Sequence, residues 1–240
     1  MKLKIISFFT FLFAFTTYAC SCSYGTVSSR LNGFENVFTA KIIQVLEYHD
    51  NTSRVKKVKV EVLENFNNQI NTNVIWFSKS LHGCPVPNPE KNSKWLFYIA
   101  EAQDGKLSVA ACNPSVSFKD NSAPEELQKI RIVKGLMQTQ EETLNFNNVL
   151  EINSAFFTPD YSRSKRYTFD DDYGLYVLNY QENTATLKSV ETLKSLGVSL
   201  DEKVLNYYNT KFKIQKYGRL KSNLKNADFK LTIVVWKTKA

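Results

Sequence analysis

Apolar residues recur along this chain with two different periods. Val58, Val60 and Val62 alternate with Lys59 and Glu61. That period of two belongs to a strand with one buried and one wet face. Before it, Val37-Phe38-Thr39-Ala40-Lys41-Ile42-Ile43-Gln44-Val45-Leu46 is rich in β-branched and aromatic residues and predicts a long strand. The polar turn His49-Asp50-Asn51-Thr52-Ser53 between them predicts an antiparallel hairpin. Val74-Ile75-Trp76-Phe77 predicts a shorter strand. Lys94-Trp95-Leu96-Phe97-Tyr98-Ile99-Ala100 has little polar relief and predicts a central one. Asp104-Gly105 is a tight-hairpin signal, and Leu107 to Cys112 reads as the return strand.

The period then changes. Ser122-Ala123-Pro124-Glu125 has capping-box spacing. Leu127, Ile130, Val133/Lys134, Leu136/Met137 and Leu144 continue at helical spacing, so a helix is expected through about residue 144. Asn145 to Asp172 is polar and weakly patterned and reads as loop, with one strand near Leu150 to Phe157. Gly174 to Tyr180 and Ala185 to Val190 predict two strands around a turn at Glu182-Asn183. Leu200 to Tyr208 predicts a helix, and Phe229 to Trp236 a final apolar strand. Cys84-Pro85-Val86-Pro87-Asn88-Pro89 is a stiff loop, because proline removes donors and fixes φ.

The first residues change how the rest is read. Met1 to Lys4 carries two lysines, and Ile5 to Phe15 is almost wholly apolar. Thr17 and Ala19 stand three and one residues before Cys20. That is the pattern of a secretory signal cut before Cys20, and the apolar run is too short to span a membrane. Export places the four cysteines, Cys20, Cys22, Cys84 and Cys112, in an oxidising compartment where an even number predicts disulfides. Cys20 and Cys22 face the same side of an extended segment. The two connectivities that avoid joining them both staple the N-terminal segment to the proline loop and to the Cys112 strand.

Charge and candidate chemistry narrow the function. The net charge is +8, and Lys211 to Lys239 holds nine Lys/Arg against the single acid Asp228. In an exported chain this reads as a solvated basic face, with no nucleic-acid partner. The two histidines, His49 and His82, have no nucleophile and orienting group beside them in sequence. His82-Gly83-Cys84 lacks the paired short spacings of a four-ligand zinc site. Asp170-Asp171-Asp172 lacks the spaced carboxylates and glycine of a calcium loop. No phosphate loop or dinucleotide fingerprint is present. The expectation is a non-enzymatic protein without a cofactor.

The start Cys20-Ser21-Cys22 resembles the Cys-x-Cys start of the tissue inhibitors of metalloproteinases and related netrin-like (NTR) modules. Phe34 to Ile43 resembles that family's first-strand signature. Trp95 to Ala100, Asp104-Gly105-Lys106-Leu107 and Cys112 resemble its later strand pair and closing cysteine. The resemblance covers about 20–145. It implies a five-stranded OB-like barrel with a flanking helix, and disulfides Cys20–Cys84 and Cys22–Cys112. It also implies that the amine and carbonyl of Cys20 chelate a partner protease's zinc, with Ser21 entering the specificity pocket. The segment 174–240 resembles the C-terminal domain of TonB-type energy transducers, in the order strand, strand, helix, strand. That resemblance implies protein binding through a strand edge.

The expected fold is therefore mainly β with α. A signal peptide (1–19) precedes the barrel domain (20–145), a linker (146–172) and a small α+β domain (173–240). The expected function is an exported, disulfide-stapled protein-binding module, secreted or in the cell envelope, that inhibits a zinc metalloprotease through Cys20. The alternative is a lipid-anchored cell-envelope scaffold tethered at Cys20. Against it, Thr17 stands where a lipobox carries a large aliphatic residue.

Overall fold

The computed structural model describes residues 22–79, 84–100, 105–139, 149–157, 169–181, 186–212 and 229–237. The fold is mixed α/β and rich in strand. The chain divides into two compact units. One takes in 22–24 and Phe34–Pro124, and the other Gly25–Gly33 and the chain from Glu125 onward. The expected domain boundary near 145 lies outside the described residues.

In the first unit, β1 (Asn36–Tyr48), β2 (Val55–Asn65), β3 (Val74–Phe77), β4 (Lys94–Ile99), β5 (Ser108–Val109) and β6 (Val116–Ser117) form one sheet. Its order is β5-β3-β2-β1-β4-β6. The β3–β5 pair is parallel and the other pairs are antiparallel. The long hairpin expected from the alternating valines is β1–β2. Its register slips four times, leaving Ile43 and Leu46 on β1 and Lys56 and Leu63 on β2 as extra residues. Each such bulge bends the strand and adds right-handed twist, so this hairpin curls. Asn51 takes a positive φ of 56° at the turn, where asparagine is among the residues that tolerate it.

The core of this unit gathers around Phe97 on β4. Its ring centroid lies 5.4 Å from Phe38, 5.9 Å from Trp95 and 6.5 Å from Phe77. Ile42, Val58, Val60 and Ile75 complete the cluster, and Val86 reaches it from the proline loop. On the opposite face of β4, Leu96 and Tyr98 are also fully buried. The strand read as central is thus apolar on both faces, as burial on both sides requires.

The second unit contains α1 (Val27–Gly33), most of α2 (Ser122–Thr139) and β7 (Val149–Asn153), which leads into a 3-10 turn over Ser154–Phe156. It continues with β8 (Tyr173–Tyr180), β9 (Leu187–Lys194), α3 (Val198–Thr210) and β10 (Lys230–Trp236). The sheet order is β7-β10-β8-β9, with β7 parallel to β10 and the other pairs antiparallel. Leu200, Val204 and Tyr208 line one stripe of α3 at i, i+4 and i+8. That stripe packs on Tyr176, Leu178, Leu231, Ile233 and Val235 of the central strands. Leu175, Val177, Thr232 and Val234, on the other face of those strands, are buried as well. The helix expected from Ser122 begins there; the part of its expected span beyond Thr139 lies outside the described residues.

The turn between β9 and α3 is locked by Asp201. Its carboxylate accepts hydrogen bonds from the Tyr176 hydroxyl, from Ser195 Oγ (2.5 Å) and from the Leu196 amide (3.0 Å). Burial, with the Asp201 contact adding to it, pushes the Tyr176 phenol far above its ordinary range. The hydroxyl is therefore a permanent donor.

Gly174 sits beneath this lock. A Cβ there would stand 2.7 Å from Tyr176 Oη and 2.9 Å from Leu196 Cβ. The tyrosine cannot swing aside without abandoning Asp201. Gly174→Ala is expected to destabilise the second unit by roughly 1–3 kcal/mol, the usual range for overpacking. Urea unfolding followed by tyrosine and tryptophan fluorescence measures this, and an unchanged midpoint would contradict the packing described.

Candidate functional site

The first candidate site is the corner where the cysteines meet. Cys22 and Cys112 are joined in a disulfide with a Cα–Cα distance of 5.2 Å, closing a sequence separation of 90 residues. Cys84 is disulfide-bonded too. The amide of Cys112 donates to the carbonyl of Pro85 (3.2 Å), which brings the start of the proline loop beside it. Cys112 has a positive φ of 55°, so the backbone turns sharply there. Cys20 and Ser21, the residues given the zinc-chelating and pocket roles, lie outside the described residues, as does the whole of the expected signal segment.

The proline loop is fixed by more than its cysteine. Val86 is buried in the core of the first unit, and Asn88 Oδ1 accepts from the Val55 amide at 2.7 Å. After Cys112 the chain is tied to β4 by side chains that stand in for a strand ladder. Asn113 Nδ2 donates to the Tyr98 carbonyl at 2.6 Å, and Ser115 Oγ accepts from the Tyr98 amide at 2.9 Å. The corner is thus held by one disulfide of known pairing, a bonded Cys84 and three hydrogen bonds to neighbouring strands.

The second candidate site is the edge of the sheet in the second unit. There β9 pairs with β8 alone among the described strands. At the other edge β7 lies against α1. Glu151 of β7 accepts from the Ser28 amide (2.5 Å) and from Trp236 Nε1 (2.8 Å), tying helix and sheet together. Among the described residues, no strand pairs with the outer side of β9. Its residues are mostly exposed. Leu193 is 48% exposed and Val198, at the start of α3, 73%. Asn179 of β8 donates to Ser189 Oγ and Glu191 Oε1 across the pair, at 3.0 and 2.8 Å.

The remaining predicted residues fall apart from one another. The carbonyl of Phe77 accepts from His49 Nε2 at 3.0 Å, so that imidazole braces the end of the first hairpin. His82 lies outside the described residues. Asp171 pairs with Lys194 at 2.7 Å, and the hydrogen bond from that lysine holds its carboxyl below the usual carboxylate range. Asp172 accepts from the Lys237 amide through its carbonyl. The acidic run therefore closes the turn into β8. Among the described residues no group of three or more His, Cys, Asp or Glu side chains is arranged to hold a metal. Among them also, no helix is long and apolar enough to cross a membrane. Of the basic C-terminal stretch, 213–228 and 238–240 lie outside the described residues.

Sequence reasoning missed α1 and the status of β9 as an edge. Thr26 Oγ1 accepts from the Ser29 amide at 3.3 Å at the start of α1, and a Thr before Val27 and Leu31 at i and i+4 was the available signal.

Removing the Cys22–Cys112 bridge in the double variant Cys22→Ser/Cys112→Ser is expected to cost up to about 4 to 5 kcal/mol, the chain-entropy figure for a loop of this length. The check is the shift of the urea midpoint, with the parent measured in parallel. A midpoint equal to the parent's would show that the bridge carries no stability. In comparison with known proteins, no protein-family model matches this chain and no curated protein is significantly similar to it.

Proposed function

We propose that this is an exported, non-enzymatic protein-binding protein that takes an extended segment of a partner onto β9. The observation that carries the reading is the position of β9 at the end of the sheet order among the described strands, with exposed Leu193 on it and exposed Val198 just beyond. An edge strand offers a row of backbone donors and acceptors to a partner strand. The order β8, β9, α3, β10 supports the likeness to the TonB C-terminal domain stated above. The Cys22–Cys112 bridge supports an oxidising destination.

For the first unit we propose an OB-like barrel. The order β5-β3-β2-β1-β4, with β3 and β5 parallel, supports this reading. The four bulges of the β1–β2 hairpin supply the curvature such closure needs. β6 adds a strand beyond β4.

Crosslinking from β9 tests the main reading. A photoactivatable residue at Ser189 or Glu191, in protein exported by its own host, is expected to join an extended segment of one partner polypeptide. Leu193→Lys should weaken that product. Equal crosslinking from an exposed position on β2, such as Glu61, would sink the proposal.

A second reading, inhibition of a zinc protease, is favoured by the Cys22–Cys112 bond, which is the pairing the netrin-like resemblance implies. In that reading the free amine of Cys20 and its carbonyl chelate the protease zinc and Ser21 enters the pocket. A lipid on Cys20 would occupy its sulfur and leave a membrane-tethered binding protein instead. One alanine added ahead of Cys20 in the mature protein displaces the chelating amine and should abolish inhibition. A broad panel of zinc proteases left fully active by the unextended protein would end this reading.

A further inference from the structure

The loop between β2 and β3 has a composition of its own. From Asn67 to Asn73 every residue except Ile70 carries a carboxamide or a hydroxyl, and none is ionisable. Together with Asn36, Gly105 and Leu107, residues 68–72 line a cavity of about 280 Å³ in the first unit. Asn36 is only 8% exposed, yet it is one of the lining residues. Ile70 and Leu107 supply the apolar wall, and both pack on the core beneath.

The walls are held in place before any ligand arrives. The Phe66 amide donates to the Val37 carbonyl at 2.8 Å, and Asn67 Nδ2 to the Phe34 carbonyl at 2.9 Å. At the far end the Val60 amide donates to the Asn73 carbonyl, and Thr72 Oγ1 accepts from the Val74 amide. Both ends of the loop are thus tied to the sheet. A loop ordered in advance loses less entropy on binding.

The lining chemistry narrows the ligand. The described lining offers no carboxylate, imidazole or cationic side chain, the groups that most favour a metal ion or an inorganic anion. Carboxamides present a donor and an acceptor side by side, which suits a hydroxyl, itself both donor and acceptor. A pyranose ring combines a rim of hydroxyls with an apolar face of C–H groups. That combination matches a lining with four carboxamide-bearing residues (Asn36, Asn68, Gln69, Asn71) together with Ile70 and Leu107. We propose that this cavity binds a neutral saccharide. The site is distinct from the β9 edge and stands or falls without it.

Saturation-transfer NMR on the intact mature protein tests the assignment. The probes are the methyl glycosides of glucose, galactose, mannose and N-acetylglucosamine, with cellobiose, lactose and chitobiose. At least one neutral sugar is expected to bind, with affinity on the order of millimolar and no dependence on salt. Asn71→Ala and Asn36→Ala should each weaken it about tenfold, the loss expected for one removed hydrogen bond and an orphaned partner. Asn71 lies in the exposed part of the loop, so its variant reports even where truncation of the buried Asn36 impairs folding. Absence of transfer to every neutral probe would overturn the proposal. So would binding undiminished in Asn71→Ala, or binding confined to sulfated sugars and lost with salt.

Discussion

One covalent bond sets the boundary conditions for the first unit. Between Cys22 and Cys112 lie β1 to β5, so the bridge closes a loop around every strand of that sheet except β6. Its effect is entropic to a first approximation, because it removes extended states from the unfolded chain. The native sheet benefits because its pairings are far apart in sequence. β1 must find β4, and β3 must find β5 across the proline loop. Long-range pairings of this kind are slow and costly in chain entropy. The bridge and the tied proline loop both act on that cost at the same corner.

The second unit has no disulfide among its described residues and relies on a polar lock. Asp201 gathers three donors at the β9–α3 turn, one of them the deeply buried Tyr176. A carboxylate that accepts three hydrogen bonds is compensated for its desolvation. The same three bonds fix where α3 begins, and with it the stripe Leu200, Val204 and Tyr208 that covers the sheet. Gly174 follows from this geometry. The tyrosine ring passes so close to its backbone that no side chain fits.

What could be read from the sequence depended on range. The β1–β2 hairpin, the buried β4 strand and the 200–208 helix were legible, because period and turn chemistry are local. The bulges at Ile43, Leu46, Lys56 and Leu63 were not, because a register slip is a property of two strands together. α1 escaped because seven residues with two apolar positions are marginal alone. Its support comes from Glu151, whose carboxylate meets the Ser28 amide from 123 residues away. β6 is two residues long and is prepared by Asn113 and Ser115 side chains instead of by an apolar pattern. The cysteines of the corner were legible as a set, since an even number behind an expected export signal implies pairing. The edge position of β9 was invisible, because sheet order is not written in any one strand.

That edge has a definite length. The β8–β9 register is interrupted twice, leaving Lys188 and Leu193 as extra residues near the two ends of β9. Between them, Ser189, Val190, Glu191 and Thr192 pair regularly with Asn179, Leu178, Val177 and Tyr176. Bulges and lysines are what exposed edges carry to prevent open-ended pairing with other chains, and β9 has both flanking this stretch. Only about four residues of flat edge remain, too few for backbone hydrogen bonds alone to hold a partner firmly. In the proposed binding role, selectivity would come from side chains at the ends of the run. Leu193, turned out at one bulge, and the exposed Val198 beyond it are the apolar groups in position to supply it.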